Sequence, residues 1–129
     1  ERCAALLWNP DFRLEICTAL RSCARDSTLE CVTGHECVTR EVHQWKRTSV
    51  ASTVHHERRM TSDQVVLVSE ASNGPFGLGG WVLNVLNATH FHMTYIVQCA
   101  VLVNGTLLPE EDLHSMAVES VERARSFLR

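Results

Sequence analysis

Long apolar runs are absent from this sequence, and so are blocks of a single charge. The longest apolar stretches, CAALLW at residues 3–8 and YIVQCAVLV at residues 95–103, fall far short of the roughly 18 residues that a bilayer-spanning helix needs. Twelve basic and fifteen acidic residues are interspersed, for a net charge of −3. With no run of five like charges, neither a nucleic-acid stripe nor an acidic tail is expected. Glu1-Arg2 does not begin a signal peptide, so a soluble, cytoplasmic chain is expected. No internal repeat, low-complexity tract or linker divides the 129 residues; that length suits one domain, able to bury roughly two thirds of its unfolded surface.

Signature motifs are missing too. GPFGLGG has the wrong spacing for a phosphate-binding or dinucleotide loop. There is no G-x-S-x-G elbow, and VSEAS, residues 68–72, sits at a strand end with no helix to follow. No enzyme is expected on these grounds. His90 and His92 share a strand face, and Cys31, His35 and Cys37 lie close together with His55-His56 further on. The first pair lacks a third ligand and the second group lacks a C-x2-C spacing, so neither metal nor cofactor is expected. Six cysteines (3, 17, 23, 31, 37 and 99) could form three disulfides, but a chain of this size stands without staples, and reduced, buried thiols acting as small hydrophobes are expected. Two N-x-T sequons, at Asn87 and Asn104, double as turn signals.

What is present has clear periodicity. RCAALLW favours a helix, interrupted at Asn9-Pro10-Asp11, because proline drives the preceding residue out of the α region and suits the first turn of a following helix. DFRLEICTALRSCA continues as a short helix that gives way to a strand after Glu15. From Thr28 to Ala71 β-branched content rises, and TLECVTGHECV, REVHQWKRTSV, STVHHERRM and QVVLVSEA are four candidate strands of an antiparallel meander. SNGPFGLGG, residues 72–80, holds four of the six glycines and one of the three prolines, and predicts a loop or sharp bend.

In THFHMTYIVQCAVLV, residues 89–103, Phe91, Met93, Tyr95, Val97, Cys99, Val101 and Val103 share one face, and His90, His92, Thr94 and Gln98 the other. A straight strand from 91 to 103 would run roughly 43 Å, so the spacing predicts a bent, strongly twisted sheet. Pro109, the acidic trio Glu110, Glu111 and Asp112, and the late arginines 123, 125 and 129 predict a helix over 109–128 about 30 Å long. Its apolar stripe, Leu113, Met116, Ala117, Val121, Ala124, Phe127 and Leu128, requires an apolar bed, and the concave face carrying Phe91 to Val103 has the matching length. The expected fold is α+β: a curved antiparallel sheet around a long C-terminal helix, with room for a cavity between.

Three segments resemble the START (steroidogenic acute regulatory-related lipid transfer) domains. LLWNPDFRLEICTAL is similar to the family's helical segment, although the family's Trp-Asp pair would fall on Ile16-Cys17. REVHQWKRT resembles its Arg-Asp-Phe strand leading to a Trp, and GGWVLNVLNATHFHMTYIVQCAVLVNGTLLP its closing hairpin and approach to the last helix. The likeness spans residues 3–128 with gaps, and implies a domain without the family's first helix and first strands. It implies a helix-grip fold that binds or transfers a lipid or sterol, makes brief contact with a membrane, and works as a monomer or within a larger protein. It also implies a ligand cavity lined by Arg40, His43, Trp45, Trp81, Met93, Tyr95, Val97, Cys99, Met116, Ala117 and Ser120. The orienting polar residue is His43 if Trp45 aligns with the family Trp, or Arg40 if Arg40-Glu41 aligns with the Arg-Asp pair; Gln98 is a third candidate. The same aromatic and methionine side chains also suit an ordinary filled core, and a protein-interaction module, or a hydrolase or cyclase on the same grip, stays open.

Overall fold

Asn9 and Pro10 divide the N-terminal segment into two short helices. In the computed structural model, which describes residues 2–17, 20–25, 35–45, 48–71, 77–98 and 110–128, α1 runs Arg2–Trp8 and α2 Pro10–Ile16. Asn9 adopts extended backbone (φ −80°, ψ 123°), and its side-chain carbonyl accepts from the Asp11 N–H at 2.9 Å. That N-cap, with proline in the first helical turn, makes the break and the restart one local event.

Six strands follow: β1 Leu20–Arg25, β2 Glu36–Trp45, β3 Thr48–Met60, β4 Gln64–Ala71, β5 Leu78–Val85 and β6 Phe91–Gln98. They pair antiparallel in chain order, β1 to β6. The chain ends in α3, Glu110–Leu128, and the fold is α+β, an antiparallel sheet with a C-terminal helix.

Two boundaries differ from the sequence-based expectation. Residues 36–45 form one strand across the join assumed between TLECVTGHECV and REVHQWKRTSV, and β2–β3 pairing continues to Trp45↔Thr48 inside the second of them. REVHQWKRTSV reads as one strand because no glycine, asparagine or aspartate marks the reversal within it. Leu78, Gly79 and Gly80, expected in a bend, belong to β5 and pair with β4 and β6. A side-chain carbon on Gly80 would lie 2.0 Å from the Leu67 carbonyl oxygen, and one on Gly79 2.9 Å from that of Ile96, so glycine here permits close approach of neighbouring backbone within the sheet. β6 is described as far as Gln98; residues 99–103 and Pro109, to which the longer strand and the helix start were assigned, lie outside the described residues, as do 28–34 and 72–76.

Strand alternation sorts the sheet into two faces. The inner face collects Thr39, Glu41 and His43 of β2, Ser52, Val54 and His56 of β3, Val65 and Leu67 of β4, Trp81 and Leu83 of β5, all buried. Against it pack Cys3, Ala4 and Leu7 of α1, Phe12 and Ile16 of α2, and Ala124 of α3, which is fully sealed. α3 lies against α2 and β6: the rings of Phe12 and Phe127 meet edge to face at 5.1 Å, and Arg123 donates to the Glu15 carbonyl at 3.3 Å while pairing with Glu119 at 2.8 Å. No helix among the described residues is long and apolar enough to cross a membrane.

Candidate functional site

The alternation of REVHQW sends Glu41 and His43 to the inner face and Arg40 to the outer one. Glu41 is only 1% exposed, and a buried carboxylate needs partners. Arg13, one turn into α2, supplies the charge: Nη1 donates to Oε2 and Nη2 to Oε1, the latter at 3.2 Å. Thr39 Oγ1 donates to Oε2 at 2.6 Å. His56 Nε2 stands 3.2 Å from Oε2, His43 Nε2 3.5 Å from Oε1, and Cys23 Sγ 3.8 Å from Oε2. On the other side of the His56 ring, Nδ1 is 2.7 Å from Ser69 Oγ. The Trp8 ring meets His56 edge-on at 6.5 Å and carries the Arg58 guanidinium 4.9 Å above its face.

These contacts set the charges. Burial by itself would raise the Glu41 carboxyl, but the His56 hydrogen bond, the Arg13 charge and the Thr39 hydroxyl outweigh it and hold the group far below the usual carboxylate range. Arg13, which burial would lower, is held up by Glu41. His43 and His56 are pushed down by burial, against the pull of Glu41 and with the push of Arg13, so both are neutral near pH 7. Burial raises the Cys23 thiol to about 11, which makes it a packed thiol and not a thiolate. The polar centre therefore holds one cation, one anion and two neutral imidazoles.

It lines a cavity bounded by residues of the inner face, α1, α2 and α3. The cavity has a volume of about 90 Å³, room for on the order of six water molecules. Beyond Arg13, Thr39, Glu41, His43, His56 and Ser69 its walls are mostly apolar: Leu7, Trp8, Val54, Leu67, Trp81, Tyr95 and Val97, roofed by Leu113, Met116, Ala117 and Ser120 of α3. Trp81 and Tyr95 stack with centroids 4.4 Å apart.

Of the residues singled out in the sequence, His43, Trp81, Tyr95, Val97, Met116, Ala117 and Ser120 line this cavity. Met93 shares their face but packs against the core cluster. Arg40 is a correction: it is exposed, on the strand face opposite Glu41 and His43, because side chains one position apart point to opposite sides of the sheet. Gln98 is exposed as well. Cys99 and the Trp45 side chain lie outside the described residues. Sequence reasoning missed Arg13, Thr39, Glu41, His56 and Ser69. Parity alone links Thr39 and Glu41 to His43; nothing in the spacing links Arg13 or Ser69 to them. His90, a candidate ligand, has its Nδ1 within 2.8 Å of Thr89 Oγ1 in the β5–β6 turn, and no group of three potential metal ligands exists among the described residues.

No family model matches the chain, and no match to it is found among curated proteins or solved structures.

Proposed function

We propose that this chain binds a hydrophobic ligand bearing one neutral polar group, a sterol or other lipid, between α3 and the inner face of a START-like helix-grip sheet. The observation that carries the reading is the Arg13–Glu41 pair, with its polar neighbours, lining a cavity whose remaining walls are mostly apolar. An ion pair is a poor choice for a purely structural core, since a hydrophobic replacement of similar volume is often equally or more stable. It is a good orienting device, because guanidinium carries five N–H donors and the carboxylate uses only part of them. A ligand hydroxyl or carbonyl accepts from the remainder, while an anionic head group meets a centre with no net charge to receive it. Apolar walls supply the binding energy at about 25 cal/mol per Å² buried. A sterol-sized ligand exceeds the present volume, so uptake requires α3 to move away from β6, a gating motion of the kind common in enclosed sites.

Native mass spectrometry of gently purified protein, followed by titration with a fluorescent sterol and with phosphatidylcholine and sphingolipid vesicles, tests this. A co-purified lipid or saturable uptake of one class is expected. Absence of both would remove the reading. An interaction module is the second reading, favoured by Val68, Leu78 and Ile96, which are 40–54% exposed and neighbour one another on the outer face of β4, β5 and β6.

A further inference from the structure

VSEAS has no nucleophile elbow, yet its serine stands where the inner face opens. One cross-strand partner of Ser69 is Gly79, which has no side chain to cover it; the other is His56. Ser69 and His56 both line the cavity. Their contact at 2.7 Å continues through the imidazole to Glu41 Oε2 at 3.2 Å, so a hydroxyl, an imidazole and a carboxylate from three adjacent strands form one relay. From this geometry we infer that Ser69 is a nucleophile toward small acyl esters that enter the cavity, with His56 as its base.

Three partners of Nε2 bear on the ring's tautomer. Glu41 only accepts, and a hydrogen bond to a carboxylate is the stronger kind; Thr39 has already given its proton to Glu41 and can accept a second bond at 2.7 Å. Arg13 Nη1, which can only donate, stands 3.1 Å from the same nitrogen and favours a lone pair there; the relay takes the tautomer that Glu41 favours, with the hydrogen on Nε2 and the Nδ1 lone pair toward the Ser69 hydroxyl. Nδ1 faces the nucleophile, the reverse of the common hydrolase arrangement, and the proton arithmetic is unchanged. Glu41 is a positioning residue: held ionised by Arg13, it fixes the tautomer and steadies the imidazolium when it forms. Arg13 and Tyr95, whose guanidinium and hydroxyl can donate, line the same cavity.

In the first step the Ser69 oxygen adds to the ester carbonyl carbon while its proton passes to His56 Nδ1. Collapse of the adduct breaks the bond to the alcohol oxygen, which departs with that proton and leaves Ser69 acylated. Water then adds to the acyl carbon, its proton going to His56. That proton returns to the Ser69 oxygen as the carboxylic acid leaves. Ester and water are the only reactants, and nothing is oxidised or reduced. The cavity's volume and its Leu67, Val97 and Met116 walls select a short, unbranched acyl chain over a charged one.

The inference needs the cavity to admit a small ester, not the chain to carry lipid. The full chain is treated with an alkyl fluorophosphonate and, separately, with p-nitrophenyl butyrate, alongside Ser69→Ala and His56→Gln. One phosphonyl group per chain, mapped to Ser69, is expected, together with p-nitrophenol release that Ser69→Ala lowers at least about tenfold, the lower part of the range general-base catalysis supplies. If His56→Gln does not fold, the parent decides through its pH profile: labelling that rises through a single titration below pH 7 supports the relay, and a flat profile overturns it. An adduct elsewhere, no adduct while a known serine hydrolase labels in parallel, or undiminished turnover in Ser69→Ala also overturns it. Lipid uptake is measured on the same preparation, so loss of labelling with uptake intact removes this inference alone.

Discussion

Arg13 and Glu41 meet fork to fork across 28 positions of sequence, each carboxylate oxygen taking one guanidinium nitrogen, with the acid side chain 1% and the base 22% exposed. That asymmetry in exposure decides what each deletion does. Arg13→Met strands an anion with no route to water and is expected to cost about 3 kcal/mol, the lower end for a broken buried pair. Glu41→Leu leaves a cation that can still reach solvent and should cost less. The double replacement should recover most of the loss. Urea denaturation of the four proteins gives the coupling; equal costs for the two single changes, or additive ones, would contradict the arrangement.

The same centre sets a pH dependence. His43 and His56 have folded-state values below 6.5, their ordinary value, so the unfolded chain takes up protons first as pH falls. Their contribution is complete above about pH 6.5 and is lost as pH drops below it toward the folded values. Glu41, depressed from 4.5, repeats the pattern lower down: its contribution is complete above that value and is lost as pH falls further. Chemical denaturation between pH 8 and pH 3 should show stability declining in two stages. His56→Gln should shrink the upper stage, His43 keeping part of it, and also reduce the lower one, because the His56 hydrogen bond helps to hold Glu41 ionised.

Much of this architecture was legible before any coordinates. Proline at 109 and three acids after it announce α3, and Asn9-Pro10 announces the break between α1 and α2, because these signals are local and act through backbone geometry and the helix dipole. The β2–β3 reversal was not legible, since Trp45 and Thr48 flank it without any residue that favours a turn. The polar centre was half legible: period two ties Glu41 to His43, but Arg13, His56 and Ser69 join them only through packing and strand register, which spacing in one sequence does not reveal. Motif alignment offers His43 and Arg40 as alternatives, and strand parity places these two on opposite faces of the sheet.

At the β5–β6 turn, Asn87 Oδ1 accepts from the Thr89 N–H at 2.9 Å, the Thr89 hydroxyl at 3.1 Å and the His90 N–H at 2.9 Å. Asn87→Ala removes the one acceptor of all three bonds in an exposed turn where water compensates in part, so a loss of about 1 kcal/mol is expected. Asn87→Asp keeps the acceptor and should lose less. The thermal midpoints of the two variants rank them, and a reversed order would show that the turn does not depend on this side chain.

Gly80 and Gly79 make a graded pair. A methyl at Gly80 would fall 2.0 Å from the Leu67 carbonyl oxygen, against 2.9 Å from that of Ile96 at Gly79. Neither obstacle is a flexible side-chain tip, so in both cases backbone must shift, and further for Gly80→Ala. That variant should lose at least about 2 kcal/mol, within the range for strain in a packed region, and Gly79→Ala distinctly less. Slowed amide exchange lost across β4 and β5 in Gly80→Ala would locate the damage.

Ala117 and Ala124 lie two turns apart on α3 and face different surroundings: Ala124 is sealed at 0% exposure in the core cluster, whereas Ala117 borders the cavity. A larger side chain at 124 has no space to enter, so Ala124→Leu should cost about 1–3 kcal/mol by overpacking. At 117 added bulk fills existing space and buries further apolar surface, so Ala117→Leu should be neutral or stabilising in the ligand-free protein. The two effects separate again on ligand addition. If the cavity is where a lipid or sterol sits, Ala117→Trp occupies part of its volume and should lower uptake at least tenfold while the denaturation midpoint holds. Uptake undiminished in Ala117→Trp would place the ligand elsewhere, and destabilisation equal to that of Ala124→Leu would mean that α3 has no slack over the sheet at this point.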